Sequence, residues 1–352
     1  MPLRFLTAGE SHGPALLGIL DGLPTGMKLS EADFIEDLSR RQRAPGRGGR
    51  QRIEKDRARI LGGLAHGRTT GAPLALLIEN LDFPNWDGLE VPPVRVPRPG
   101  HADLAGCLKW GFDDTRLVSE RASARETAMR VALGVAAKAL LAEVGIRCAG
   151  KVVAVGGKMV SSEATMRRII DRARTVGETL GGTIAVSALG VPPGLGSSVQ
   201  WDRKLDGLIA RALMSIPSVK GVLVGEAAFQ AGARGSRAQD PIRWARGKGF
   251  TRPTNLAGGI EGGISNGEAV SATLFLKPIS TLKRGLASVD LRTRRAERAA
   301  YQRSDTCVVP AAVVIAEAML ALVLAEALMD VFGADRVADL RRAVAAHRRR
   351  SR

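Results

Sequence analysis

Between Val308 and Leu328 the chain carries its most apolar stretch, interrupted by charge only at Glu317 and Glu326. A segment of this length and composition needs either a bilayer or a thick shell of protein around it. Carboxylates within a bilayer are costly, so the segment predicts a buried helix. Pro310 fits its first turn, where a missing N–H forfeits no hydrogen bond. A helix apolar on nearly every side is either central in the core or covered by another subunit. With 352 residues and 45% apolar content, the chain has enough material for such a core. Met1–Phe5 runs straight into the polar Thr7–His12 stretch, which reads as no signal peptide. The expected setting is cytoplasmic, without a membrane.

Helix and strand signals alternate along the rest of the chain, without a low-complexity linker, predicting a mixed α/β fold of α+β type. One domain is expected over residues 1–335, with a basic, frayed tail over 336–352 that holds Arg341, Arg342, Arg348, Arg349, Arg350 and Arg352. Ser30 and Asp33 open an amphipathic helix to about Arg41, and the glycines and proline of Arg43–Arg50 make an arginine-rich loop. Ser123 and Glu126 have the spacing of a reciprocal capping box, predicting a long helix to about Glu143. Thr183–Val191 and Glu268–Leu276 read as strands, and Leu205–Met214 as a helix between them.

The formal charge of +17 calls for an anionic partner or a strongly charged surface. Nucleic acid is one candidate, but 4% aromatic residues and a single Tyr give poor stacking platforms for single strands. Phosphorylated or carboxylated small molecules fit better. Cys107, Cys148 and Cys307 are widely spaced and form no CxxC pair, which suggests neither a disulfide framework nor a zinc site.

Four histidines are present, and His12 and His101 stand in polar, glycine-bounded loops, Gly9–Gly13 and Arg98–Asp103. Imidazole titrates near neutrality, so these two are the acid–base candidates, while His66 and His347 read as structural. Ser11 lacks an assignable acid and base and is not taken as a nucleophile. Glu10, His12, His101 and Asp103 supply ligand types without metal-binding spacing. Arg121, Ser123 and Arg125 cluster at a helix start, where free N–H groups favour an anion. Lys277–Thr281 adds a cation and two hydroxyls, and Asp305 follows Arg303 at the edge of the apolar helix. These residues describe a cationic site for a polyanion and leave the reaction open.

At these same positions the sequence resembles the chorismate synthases. The likeness is carried by Gly9–Gly13, Arg98–Asp103, Arg121–Thr127, Gly258–Gly267, Lys277–Thr281 and Arg303–Pro310, and it runs from about Phe5 to Leu328. It implies a β-α-β sandwich, with helices packed against antiparallel sheets, assembled as a homotetramer with active sites close to subunit contacts. It also implies a 1,4-elimination of phosphate from 5-enolpyruvylshikimate 3-phosphate (EPSP), with reduced FMN required and no net redox change. NADPH would enter only indirectly, through an external flavin reductase.

By the same resemblance His12 protonates the departing phosphate, His101 sits by the flavin, and Asp305 assists proton transfer at its N5. Arg41, Arg47, Arg121 and Arg125 hold substrate or nucleotide anions. Flavin contacts fall to Arg121, Ala122, Ser123, Pro217, Ser218, Gly262, Lys277, Pro278, Ile279, Ser280, Thr281 and Arg303. Two residues depart from the family pattern: Ala122 stands where serine is frequent, and Ser218 where alanine is. Two rival readings stay open on the residues alone, a nucleic-acid binder and a flavoprotein with net hydride transfer. The first would show salt-dependent nucleic-acid binding, and the second would consume reductant.

Overall fold

The apolar segment is one continuous helix, Val309–Phe332, with Pro310 in its first turn. The computed structural model that contains it describes residues 3–48, 55–247, 249–301 and 305–350. Every residue of the helix from Val309 to Ala325 is buried, whereas Glu326 is exposed. Each large apolar side chain removed from water here contributes roughly 1.5–3 kcal/mol before chain entropy is counted.

A second apolar helix, Thr127–Ala142, packs along this central helix. The approach is close because Gly134 faces Ala318: a Cβ on Gly134 would lie 2.3 Å from the Cβ of Ala318. Two antiparallel sheets enclose the helix pair. Arg4–Ala8, Ala15–Asp21, Leu74–Glu79 and Ala58–Gly62 form the first, in that spatial order. It covers Thr127–Ala142, with Gly18 against Met129. Val219–Val224, Val270–Leu276, Gly182–Leu189, Arg147–Val155 and Lys158–Met159 form the second. It covers the central helix, with Gly150 against Val313 and Gly182 against Val309. The result is the expected α+β sandwich of sheet, helix, helix and sheet, built around one continuous apolar core.

Glu317 is the one charge on the buried face of the central helix, and its environment explains how it is tolerated. Its carboxylate accepts from both terminal nitrogens of Arg40 and from Lys138, each at 2.9 Å, and both cations also reach Asp37 at 2.7 Å. Two carboxylates and two cations therefore neutralise one another and tie helix Ile35–Arg43 to both core helices. Burial works against the charge on Lys138, but Glu317 and Asp37 outweigh it and raise its pKa.

Two local expectations are corrected, and two helices are added. Ser123 does cap, accepting from the Arg125 N–H at 3.2 Å, but Glu126 does not return the bond. A short 3-10 turn, Ala124–Glu126, precedes the helix and turns the Glu126 carboxylate to the Thr7 hydroxyl and to Arg130. Helices Asp103–Trp110 and Thr115–Ala122 were not anticipated. The expected frayed tail is instead helix Val337–Arg350, in which Val337, Leu340 and Val344 are buried. Their spacing makes an apolar stripe that the arginine run obscures. His347 fastens the helix through a 2.7 Å contact with the Pro193 carbonyl.

Candidate active site

The loop bearing His12 turns sharply between the first two strands, where Gly9 adopts φ +103° against the Ala15 carbonyl. Asn80 secures it, donating to the Ser11 carbonyl at 3.1 Å and the Gly13 carbonyl at 2.7 Å. Glu120, on helix Thr115–Ala122, meets the His12 ring through Nδ1 at 2.6 Å and accepts the His12 backbone N–H at 2.7 Å. Trp86 lies against the same ring, 4.2 Å between centroids and tilted by 42°.

The turn at the start of helix Thr127–Ala142 adjoins this loop. The Ser123 hydroxyl donates to Ser11 Oγ at 3.2 Å, and Arg121 grips the carbonyls of Thr7 at 2.8 Å and Gly9 at 3.2 Å. Arg121 stays 46% exposed, so it retains a face for solvent or ligand. Ala122 contributes no polar group there.

Beside that turn lies a buried cluster of charge. Asp56 accepts from Arg125 at 2.5 Å and from Arg41 at 3.4 Å, and the side chains of all three are 6% exposed or less. Arg41 also donates to the Thr127 hydroxyl and the Ala124 carbonyl. Burial, and then the charge of Arg47, push the Arg41 guanidinium below its ordinary pKa. Arg47 is paired with Asp305, which also accepts the Gly48 N–H at 2.6 Å. Among the described residues, Arg41, Arg47 and Arg125 meet the carboxylates of Asp56 and Asp305. Among the described residues the buried Nε of Arg47 has no hydrogen-bond partner. A buried donor left unsatisfied is costly unless something fills the position, and an anion would do so.

His101 belongs to a second cluster. Its Nδ1 lies 2.5 Å from Asp103, which also accepts from the Arg98 side chain at 2.8 and 3.0 Å and from the Arg98 backbone at 3.0 Å. Burial would raise the Asp103 pKa, but the hydrogen bonds from His101 and Arg98 outweigh it and hold the carboxyl well below its usual range. Lys277 donates to the Gly100 carbonyl at 2.5 Å, just before His101, and burial followed by Lys220 lowers its ammonium pKa. The Lys277 N–H in turn donates to the Ser218 carbonyl at 2.8 Å. Ser218 holds φ +72°, a left-handed conformation uncommon for a residue with a Cβ and frequent at ligand clamps.

The two clusters are continuous through the scaffold. Arg130 bridges Glu126 to Ser215, close to Pro217 and Ser218. Leu180 donates to the Thr306 carbonyl beside Asp305, and the neighbouring Thr179 to the Ile279 carbonyl. Gly262, at φ +60°, sits on a separate hairpin with open space where a side chain would project. Arg303 lies outside the described residues. Glu120, Trp86 and Asp56 are the functional candidates that sequence reasoning missed, since each meets its partner only through the fold.

Two histidine–carboxylate pairs and a buried guanidinium cluster supply the kinds of group that acid–base chemistry on an anion requires, on a β-α-β sandwich. The chorismate synthase family model matches residues 3–329. A chorismate synthase from Solibacter usitatus is 48% identical, over 97% of each chain. One from Desulforudis audaxviator is 50% identical, over 96% of this chain and 95% of its own. A crystal structure of chorismate synthase superposes with a TM-score of 0.81 at 37% identity, covering 100% of this chain and 98% of that one. The chain belongs to the chorismate synthase family, and with it to the carbon–oxygen lyases of the shikimate pathway.

Proposed function

We propose that the chain performs the trans-1,4-elimination of EPSP, breaking the C3–O bond to phosphate and a C6–H bond to give chorismate and inorganic phosphate. The observation that carries this reading is the buried Nε of Arg47, which has no hydrogen-bond partner among the described residues, in the guanidinium cluster beside the turn that meets the His12 loop. Arg47 and Arg125 receive substrate anions there. Arg41, whose nitrogens serve Thr127, Ala124 and Asp56, acts mainly by holding the turn in place. His12 gives its proton to the departing phosphate, and Asp305, released from Arg47, assists removal of the C6 hydrogen.

The donor set also suits a flavin mononucleotide. Ser218 offers a strained backbone position, Gly262 an open face, and Lys277, Ser280, Thr281, Arg121 and Ser123 offer donors for phosphate and ring carbonyls. Ala122, Pro217, Pro278 and Ile279 contribute backbone and apolar contact. Bound there, reduced FMN would supply electron density to the substrate with no net oxidation. His101, oriented by Asp103, would offer its other ring nitrogen to the flavin. NADPH acts outside this chain, through a separate reductase. The exposed Leu6, Leu17 and Ile19 on the outer face of the first sheet support subunit contacts across that face in a homotetramer; a cytoplasmic setting goes with the biosynthetic role.

Anaerobic incubation of the purified protein with EPSP and chemically reduced FMN tests the reading, with chorismate and phosphate followed together. Equimolar release without flavin oxidation is expected. Absence of both products from folded, flavin-binding protein would overturn it.

A further inference from the structure

Resting on His12 as proton donor, we propose that Glu120 and Trp86 clamp that ring so that Nδ1 keeps its proton and Nε2 alone exchanges one with substrate. Glu120 uses both carboxylate oxygens on the same residue, Oε1 on the ring and Oε2 on the backbone N–H, and its own carbonyl accepts the Ser11 N–H at 3.1 Å. A carboxylate anchored on the backbone of a histidine and also on its ring restricts both side-chain torsions. Trp86 occupies one ring face and is itself held, its indole N–H donating to Asp82 at 3.1 Å.

The clamp closes on itself. The Asp82 N–H donates to the side-chain oxygen of Asn80 at 3.2 Å, and the Asn80 amide donates to the carbonyls on either side of His12. Loop Gly9–Gly13, helix Thr115–Ala122 and the Asn80–Trp86 loop therefore move as a unit. A free neutral histidine favours the proton on Nε2, whereas an ionised carboxylate at Nδ1 demands the opposite tautomer. Neutral His12 so held presents a bare Nε2, able to take up and return one proton in a fixed direction. Glu120 and Trp86 are positioning residues, since neither is argued to touch the reacting atoms.

The test is nitrogen NMR of histidine-labelled protein at a pH where His12 is neutral, assigned through loss of its signal in His12→Gln. The wild-type protein should show the Nδ1–H tautomer. Glu120→Ala should revert to mainly Nε2–H and lose kcat by about tenfold or more, a fraction of what general acid catalysis supplies, with KM little changed. Glu120→Gln, whose amide oxygen can accept the backbone N–H while its NH2 donates to Nδ1, should likewise shift the ring toward Nε2–H and lower kcat without loss of side-chain volume. This variant also serves if the alanine protein does not fold. Trp86→Leu should retain the tautomer and lower kcat, and wild-type kinetics there would overturn the part given to the indole. An Nε2–H tautomer in the wild-type protein would overturn the clamp whatever the activity. A reversed tautomer in Glu120→Ala with unchanged kcat would instead remove His12 as proton donor.

Discussion

Replacing Gly134 with alanine sets two physical effects against each other. Helix propensity alone favours alanine by about 1 kcal/mol in the interior of a helix such as Thr127–Ala142. Packing opposes it, because the new methyl would stand 2.3 Å from the Ala318 Cβ and 2.6 Å from its Cα. Carbon atoms in contact need about 3.5–4.0 Å, so the two helices must separate by more than 1 Å. Neither helix has room to retreat, since a sheet backs each of them and Gly18 and Gly150 are already at the limit against Met129 and Val313. Overpacking of a dense core costs about 1–3 kcal/mol, and at this shortfall the upper half of that range applies. Gly134→Ala should therefore destabilise by about 1–2 kcal/mol net, measured by urea unfolding at fixed protein concentration. Ala318→Gly in the same chain removes the 2.3 Å contact but leaves the one to the backbone Cα and adds its own helix-propensity cost, so it should recover only part of that loss and the pair should be non-additive. A Gly134→Ala protein more stable than its parent would refute the close-packing argument, because propensity would then have won.

Glu317→Leu should destabilise by about 3 kcal/mol, the lower end for breaking a buried ion pair, since Arg40 reaches solvent and Lys138 keeps Asp37; the double variant with Lys138→Met should recover much of it in the same unfolding assay. The depressed pKa of Asp103 contributes stability that is present above about pH 4, the unfolded carboxylate value, and is lost as pH falls toward the lower folded value. Acid titration of unfolding should accordingly show a shallower loss in Asp103→Asn than in the parent. His101→Ala should bind substrate yet lose most turnover, about 100-fold on the scale of general acid–base catalysis, and wild-type turnover with saturating flavin would remove it from the mechanism. Asp305→Asn should lose turnover similarly, and an unchanged rate would end its proposed part in proton transfer.

Local pattern carried the parts of the fold whose causes are local. Pro310 and the long apolar run, broken by charge only at Glu317 and Glu326, marked the central helix, and Leu205–Met214 forms the helix its residues indicate. The strand read as Thr183–Val191 runs Gly182–Leu189, and that read as Glu268–Leu276 runs Val270–Leu276. What escaped were contacts made by folding. Asp56 lies 69 residues from Arg125, and Glu120 lies 108 from His12, so no spacing rule relates them. Glu126 has capping-box spacing, yet a partner 119 residues away, Thr7, takes its carboxylate. Asp103 was visible only as a neighbour of His101, because its grip by Arg98 depends on the fold of that loop.

The position of the central helix along the chain has a consequence for synthesis. The last strand of the second sheet ends at Leu276, yet the helix that fills the space between the sheets is complete only at Phe332. At about 5–20 residues per second the ribosome leaves the inner face of the second sheet without its cover for seconds, although the first sheet already has Thr127–Ala142. During that interval the nascent chain offers sheet surfaces to any other apolar partner. Chaperone demand should therefore concentrate late in translation, and a chain stopped between Leu276 and Pro310 should aggregate rather than persist as a soluble half-sandwich.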